Sequence, residues 1–93
     1  MKRFVIEREM PGVGTMERQQ FKEAAEKSNA VLKQLGTDVQ WIESYVVDDK
    51  IYCVYMAEDD AIVRRHAELA GFPANKISEV KRIIDPTTAT ATA

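Results

Sequence analysis

The sequence predicts one α+β domain of the ferredoxin-like kind, in which a four-stranded antiparallel sheet carries two helices on one face. Two long segments have apolar residues at helical spacing, and four short segments rich in β-branched residues surround them in the order βαββαβ. The 93 residues are enough for a single core. A composition of 45 % hydrophobic and 30 % charged residues is that of a globular chain.

The first strand and the first helix open this order. Residues Arg3–Glu7 have an apolar, β-branched middle and are followed by a Pro-Gly turn. From Met16 to Leu35, apolar residues recur at spacings of three and four, with charged residues on the other arc. Thr15 is the predicted N-cap of this helix, and Gly36 is the residue expected to close it.

The next two strands form a predicted hairpin. Residues Val39–Val47 and Ile51–Ala57 are rich in β-branched and aromatic side chains. The polar segment between them, from Asp48 to Lys50, favours a tight turn. We therefore expect these two strands to pair antiparallel.

The second helix and the last strand complete the order. Asp59 or Asp60 is expected to cap a helix that ends at Gly71, and residues Ile77–Ile84 are expected to form the last strand. Residues 1–86 then make up the single domain. The Thr/Ala alternation of residues 87–93 cannot build a core and predicts a mobile tail.

Charge and cysteine usage exclude several classes of protein. Thirteen basic and fifteen acidic residues give a formal charge of -2, which does not attract nucleic acid or an anionic membrane. We find no apolar stretch long enough to span a bilayer and no signal peptide. The single cysteine, Cys53, cannot form an internal disulfide, so we expect a cytoplasmic protein. The charge and the lack of a long apolar stretch predict neither nucleic acid nor a membrane as partner.

Strand alternation predicts which side chains the helices cover. Burying Glu43 without a cation would be costly, so in the second strand we assign Ser44 and Val46, with Gln40 and Ile42, to the face that the helices cover. The inward residues of the other strands are then Phe4, Ile6, Tyr52, Val54, Met56 and Val80. Glu79, Lys81 and Ile83 are expected to point outward from the last strand.

The uncovered face predicted in this way is strongly apolar. It carries Val5, Trp41, Tyr45, Val47, Ile51, Cys53, Tyr55 and Ile83, together with Glu7 and Glu43. Small soluble proteins rarely expose a patch of this kind, so we expect a homodimer formed through it. A ligand or ion could lodge at the seam near four of its side chains, Trp41, Glu43, Tyr45 and Tyr55.

Few side chains of this chain are candidates for chemistry. His66, the only histidine, lies on the apolar arc of the second helix. It is either a core histidine hydrogen-bonded by Ser44 or Tyr52, or a metal ligand or proton carrier. Cys53 is either a small apolar interface residue or a soft ligand, and the predicted parity directs it away from His66.

Two carboxylates of the uncovered face are further candidates. Glu7 and Glu43 could together bind a cation or perform acid/base work. They could equally form ion pairs with Arg3 or Lys81, which is the commoner arrangement on a protein surface.

Several ordered segments resemble a known family. They are residues 39–46 (VQWIESYV), residues 48–55 (DDKIYCVY), His66 followed by residues 71–74 (GFPA), and residues 85–88 (DPTT). Together they resemble a bacterial domain-of-unknown-function family whose characterised representative is a nickel-binding homodimer with a ferredoxin-like fold. The resemblance extends over most of the chain.

The resemblance implies a cytoplasmic homodimer that binds nickel or another divalent transition metal and no other cofactor. His66, Cys53 and Glu7 are the matching positions of ligand type. Because nickel favours several nitrogen donors, a tight site would also need backbone, carboxylate or partner-subunit ligands.

A hypothesis from another class is a cofactor-free enzyme that acts on a small ligand, a monooxygenase or isomerase of the dimeric α/β barrel kind. It predicts a closed cavity lined by Trp41, Glu43, Tyr45 and Tyr55. We favour binding over catalysis as the role of this chain.

Overall fold

The computed structural model describes residues 1–90 of the chain. Its strands are β1 (Lys2–Glu9), β2 (Val39–Val46), β3 (Lys50–Ala57) and β4 (Lys76–Glu79). Its helices are α1 (Arg18–Leu35) and α2 (Asp60–Ala70). Short 3-10 turns lie at Val13–Thr15, Gly36–Asp38 and Pro86–Thr90, so part of the predicted tail is a turn and residues 91–93 lie outside the described part.

The sheet is antiparallel, with the strand order β2-β3-β1-β4. Leu32 and Leu35 of α1 and Val63 of α2 pack against the same cluster of sheet residues, which includes Ile6 and Tyr55. Both helices therefore cover one face, and the predicted ferredoxin-like α+β fold is confirmed. Neither helix within residues 1–90 is long and apolar enough to cross a membrane.

The start of α1 differs from the prediction. Thr15 lies in the preceding 3-10 turn, where its hydroxyl donates to the Gly12 carbonyl at 2.8 Å. Glu17 is the N-cap, and its backbone N–H donates to Oε1 of Gln20 at 3.0 Å, as in a capping box. Gly36 closes the helix with a φ of 83°, as its position in the sequence predicts.

The second helix begins and ends where the sequence predicts, whereas the last strand is shorter. The carboxylate of Asp59 accepts a hydrogen bond from the Ile62 N–H at 3.0 Å, and Gly71 ends the helix with a φ of 74°. Strand β4 ends at Glu79, so the predicted extension to Ile84 is wrong. Glu79 pairs with the buried Phe4 and therefore lies on the covered side of the sheet, so its predicted outward direction and the inward assignment of its neighbour Val80 are both wrong.

The facing of β3 is the reverse of the prediction. Cys53, Tyr55 and Ala57 are buried beneath the helices, and Tyr55 is only 2 % exposed. Tyr52 and Val54 alternate with them and face away. The prediction that Cys53 and Tyr55 lie on the uncovered face is therefore wrong, because the other alternating set of β3 side chains faces outward.

An irregularity in β2 explains this error. The pairing register shifts between Trp41 and Glu43, so strict alternation does not hold along the strand. Val39 and Trp41 lie under the helices before the shift, and Ser44 lies under them after it. Glu43 consequently stays in solvent although its neighbour Trp41 is covered, which a strictly alternating strand cannot achieve.

The outer sheet face is the face that the helices leave uncovered. By register it carries Val5, Tyr45, Tyr52, Val54 and Met56, with the polar or charged Arg3, Glu7, Gln40, Glu43, Lys76 and Ser78 around them. Tyr45 is 53 % exposed there. The predicted apolar character of this face is thus present, although several of its members differ from those expected.

Candidate functional site

A cavity of about 290 Å³ lies between the sheet and α1 and opens to the surface on one side. Its walls are mainly apolar and include Phe21, Ala24, Ala25, Trp41, Ile51 and Phe72. The two alanines of α1 leave room that longer side chains would fill. The indole N–H of Trp41 is satisfied within the wall, where it donates to the Ser44 hydroxyl at 2.9 Å.

Of the residues that the structure describes, Arg8 is the one cationic side chain in the wall of this cavity, and it is only 2 % exposed. Its Nε donates to Sγ of Cys53 at 3.3 Å, and its two terminal nitrogens donate to the Pro73 carbonyl and to the Tyr55 hydroxyl. The guanidinium also lies 5.6 Å from the centre of the Phe72 ring. All of these partners are neutral acceptors or aromatic groups.

Arg8 has no carboxylate partner among the described residues. The salt bridges found in residues 1–90 are Lys22–Glu26, Lys50–Glu7, Arg65–Glu68 and Lys81–Glu79. A buried charge without an opposite charge is costly, and neutral hydrogen bonds only partly offset that cost. Arg8 is therefore the most unusual electrostatic feature of the fold.

Our sequence reasoning missed Arg8, although a signal for it was present. The alternation that directs Phe4 and Ile6 inward continues two residues further to Arg8. A charged residue at a core position is rare and commonly has a specific role.

His66 is completely buried between the two helices and the sheet. Its Nε2 lies 3.1 Å from the hydroxyl of Ser28, and its ring centre lies 5.2 Å from that of Tyr55. Burial lowers the pKa of His66 below its usual value, and the charge of Arg8 acts in the same direction. The structure thus favours a neutral core histidine, with Ser28 as the hydroxyl partner in place of the expected Ser44 or Tyr52.

Tyr55 connects the cavity to this histidine. Its hydroxyl lies 3.5 Å from Arg8, and its ring packs against His66. Burial raises the pKa of Tyr55, although the nearby Arg8 charge opposes the shift. Among the described residues Nδ1 of His66 finds no hydrogen-bond partner, so this buried polar cluster is not fully satisfied.

The predicted metal ligands do not form one site. Cys53 lies on the covered side with His66, whereas Glu7 lies on the outer sheet face, 3.9 Å from the ammonium group of Lys50. Its ion-pair partner is thus Lys50 and neither Arg3 nor Lys81. Across residues 1–90 no group of three or more His, Cys, Asp or Glu side chains is placed to hold a metal ion.

The lining predicted for an enzyme cavity is divided between the two faces of the sheet. Trp41 and Tyr55 line the cavity, whereas Glu43 and Tyr45 lie on the outer sheet face. A hydrogen bond with Glu43 raises the pKa of Tyr45. Within residues 1–90, the cavity wall therefore lacks the carboxylate that the enzyme hypothesis placed in it.

Comparison with known proteins gives one family and one similar fold. A family model described as "Nickel responsive protein SCO4226-like" matches residues 4–80. The crystal structure of SCO4226 from Streptomyces coelicolor A3(2) is similar at 25 % identity and a TM-score of 0.74, over 88 % of this chain and 99 % of that one. No curated protein matches significantly.

Proposed function

This chain belongs to the nickel responsive SCO4226-like family, and from that premise we propose that it is a homodimeric component of a cytoplasmic response to nickel. In this proposal two copies join through the outer sheet face. Nickel binds where the two copies meet, through donors that each copy contributes.

The observation that carries the dimer is the apolar outer sheet face. Val5, Tyr52, Val54 and Met56 form its middle, and Tyr45 projects beside them with more than half of its surface in solvent. A contiguous apolar area of this kind on a small protein commonly marks an interface. Arg3, Glu7 and Glu43 add charges of both signs, which suits the self-complementary contact of a two-fold dimer.

The positions of the donor atoms support a metal site between copies over one inside a copy. Nε2 of His66 is already engaged by Ser28. The sulfur of Cys53 accepts a hydrogen bond from the Arg8 guanidinium, and a fixed positive charge there opposes the approach of a metal cation. Glu7 also has a cation nearby, the ammonium group of Lys50 at 3.9 Å, but the Lys50 side chain is 41 % exposed and this surface ion pair is weak. A dimer brings two copies each of Glu7 and Glu43 to one interface.

Sedimentation velocity of the tag-free protein at micromolar concentration tests the dimer. We expect a particle of twice the 10.5 kDa chain mass. Val54→Lys places a charge in the middle of the outer sheet face and should give monomers. Ala30→Lys adds the same charge on the exposed side of α1 and should remain dimeric. A monomeric parent protein would overturn the proposal.

Isothermal titration with nickel chloride tests the metal site. We expect Glu7→Gln and Glu43→Gln to weaken nickel binding at least tenfold, and we expect His66→Gln and Cys53→Ala to leave it within about twofold. If the His66 or Cys53 variant loses nickel binding while circular dichroism shows that it is folded, that residue is a nickel ligand and the proposed site is wrong. Absence of heat in the parent would remove nickel binding altogether.

A further inference from the structure

We propose that the cavity between the sheet and α1 binds a small monocarboxylate with an apolar body, whose carboxylate pairs with Arg8. This site is separate from the proposed nickel site, because it lies on the opposite face of the sheet. It therefore does not depend on the proposed function.

The charge of Arg8 indicates that the ligand is an anion. A guanidinium has five N–H donors, and three protein acceptors engage Arg8. The contact with Tyr55 is long, at 3.5 Å. A carboxylate would supply the opposite charge that no side chain of residues 1–90 brings to this position, and it can accept two parallel N–H bonds from one guanidinium.

The walls of the cavity indicate the rest of the ligand. Beyond Arg8 the lining is mostly apolar, with the aromatic rings of Phe21 and Trp41 and the short side chains of Ala24 and Ala25. These groups favour burial of the hydrocarbon part of a ligand, and they provide no partner for a second charge on it. The geometry therefore favours a monoanion over a dicarboxylate or a phosphate ester.

The size of the cavity limits the ligand further. A volume of about 290 Å³ lies near the lower end of the range for ligand pockets, roughly 300 to 1,000 Å³. A single aromatic ring or a short hydrocarbon chain fits this space, whereas a folded peptide does not. Arylacetates and medium-chain fatty acids are the matching chemical class.

Trp41 provides a direct assay, because it is the only tryptophan of the chain and lies in the cavity wall. Its fluorescence would be followed in the nickel-free protein during titration with phenylacetate and with octanoate. Phenylacetamide, which has the same ring and no charge, and acetate, which has the charge and no apolar body, are the controls.

We expect saturable fluorescence changes with at least one of the two acids. Phenylacetamide should bind at least tenfold more weakly than phenylacetate, and acetate should give no saturation. Equal binding of acid and amide would overturn the role of Arg8. Absence of saturation with both acids would overturn the ligand class, while leaving the nickel titration and the dimer unaffected.

Two variants separate the cavity from the charge. Ala25→Leu fills the cavity without changing charge and should weaken acid binding at least tenfold, whereas Ala30→Leu on the exposed side of the same helix should not. Arg8→Met should bring acid and amide to equal affinity, with circular dichroism as the check on folding. Unchanged acid binding in folded Ala25→Leu would place the ligand outside this cavity.

Discussion

Lowering the pH tests the burial of His66 directly. The ring is fully buried, contacts the hydroxyl of Ser28 and the ring of Tyr55, and has a pKa that burial lowers from 6.5. The charge of Arg8 further disfavours protonation. The folded protein therefore takes up this proton at a lower pH than the unfolded chain does.

The sign and size of the effect follow from proton linkage. Because the folded pKa lies below the unfolded one, the stabilisation is fully present above pH 6.5 and is lost as the pH falls towards the folded pKa. The slope approaches about 1.4 kcal/mol per pH unit while only the unfolded state is protonated. Between about pH 6.5 and about pH 5.5, we expect the free energy of unfolding to fall, and about 1 kcal/mol is the upper limit for one histidine over this interval.

Urea denaturation followed by circular dichroism measures this change, on tag-free protein at one fixed concentration. His66 is the only histidine, so His66→Gln should give a nearly flat profile over the same range. Glu79 and Asp85, whose pKa values are lowered by hydrogen bonds from 4.5 and 3.8, titrate at more acidic pH. Equal stability of the parent at both pH values, or the same slope in His66→Gln, would refute the reasoning.

Two further predictions concern the connections that position the sheet and helices. Asp59→Ala removes the N-cap of α2 and should lower the free energy of unfolding by about 1 kcal/mol in urea denaturation, whereas Asp59→Asn should retain most of it; equal losses would contradict the cap. Gly14→Ala would bring a Cβ to 2.8 Å from the Cα of Asp48 in the hairpin turn, so we expect a loss of about 1–3 kcal/mol. Thr15→Ala at the exposed neighbouring position is the control, and similar melting temperatures for the two variants would contradict the close approach.

The candidate site was only partly predictable from the sequence. Inward Phe4 and Ile6 follow from alternation in β1, and the same rule applied two residues further would have found Arg8. The inward place of Tyr55 could not be found in this way. It depends on the register shift beside Trp41, which a strictly alternating pattern does not predict.

The sequence by itself determined the elements, their order and the fold, because apolar spacing, caps and turn residues act over a few neighbouring positions. The tertiary structure decided which groups meet. Ser28 reaches His66 across 38 residues, and Cys53 reaches Arg8 across 45. Whether a carboxylate also reaches Arg8 depends on how all the elements pack together, so only the folded chain shows a buried cation facing an apolar cavity.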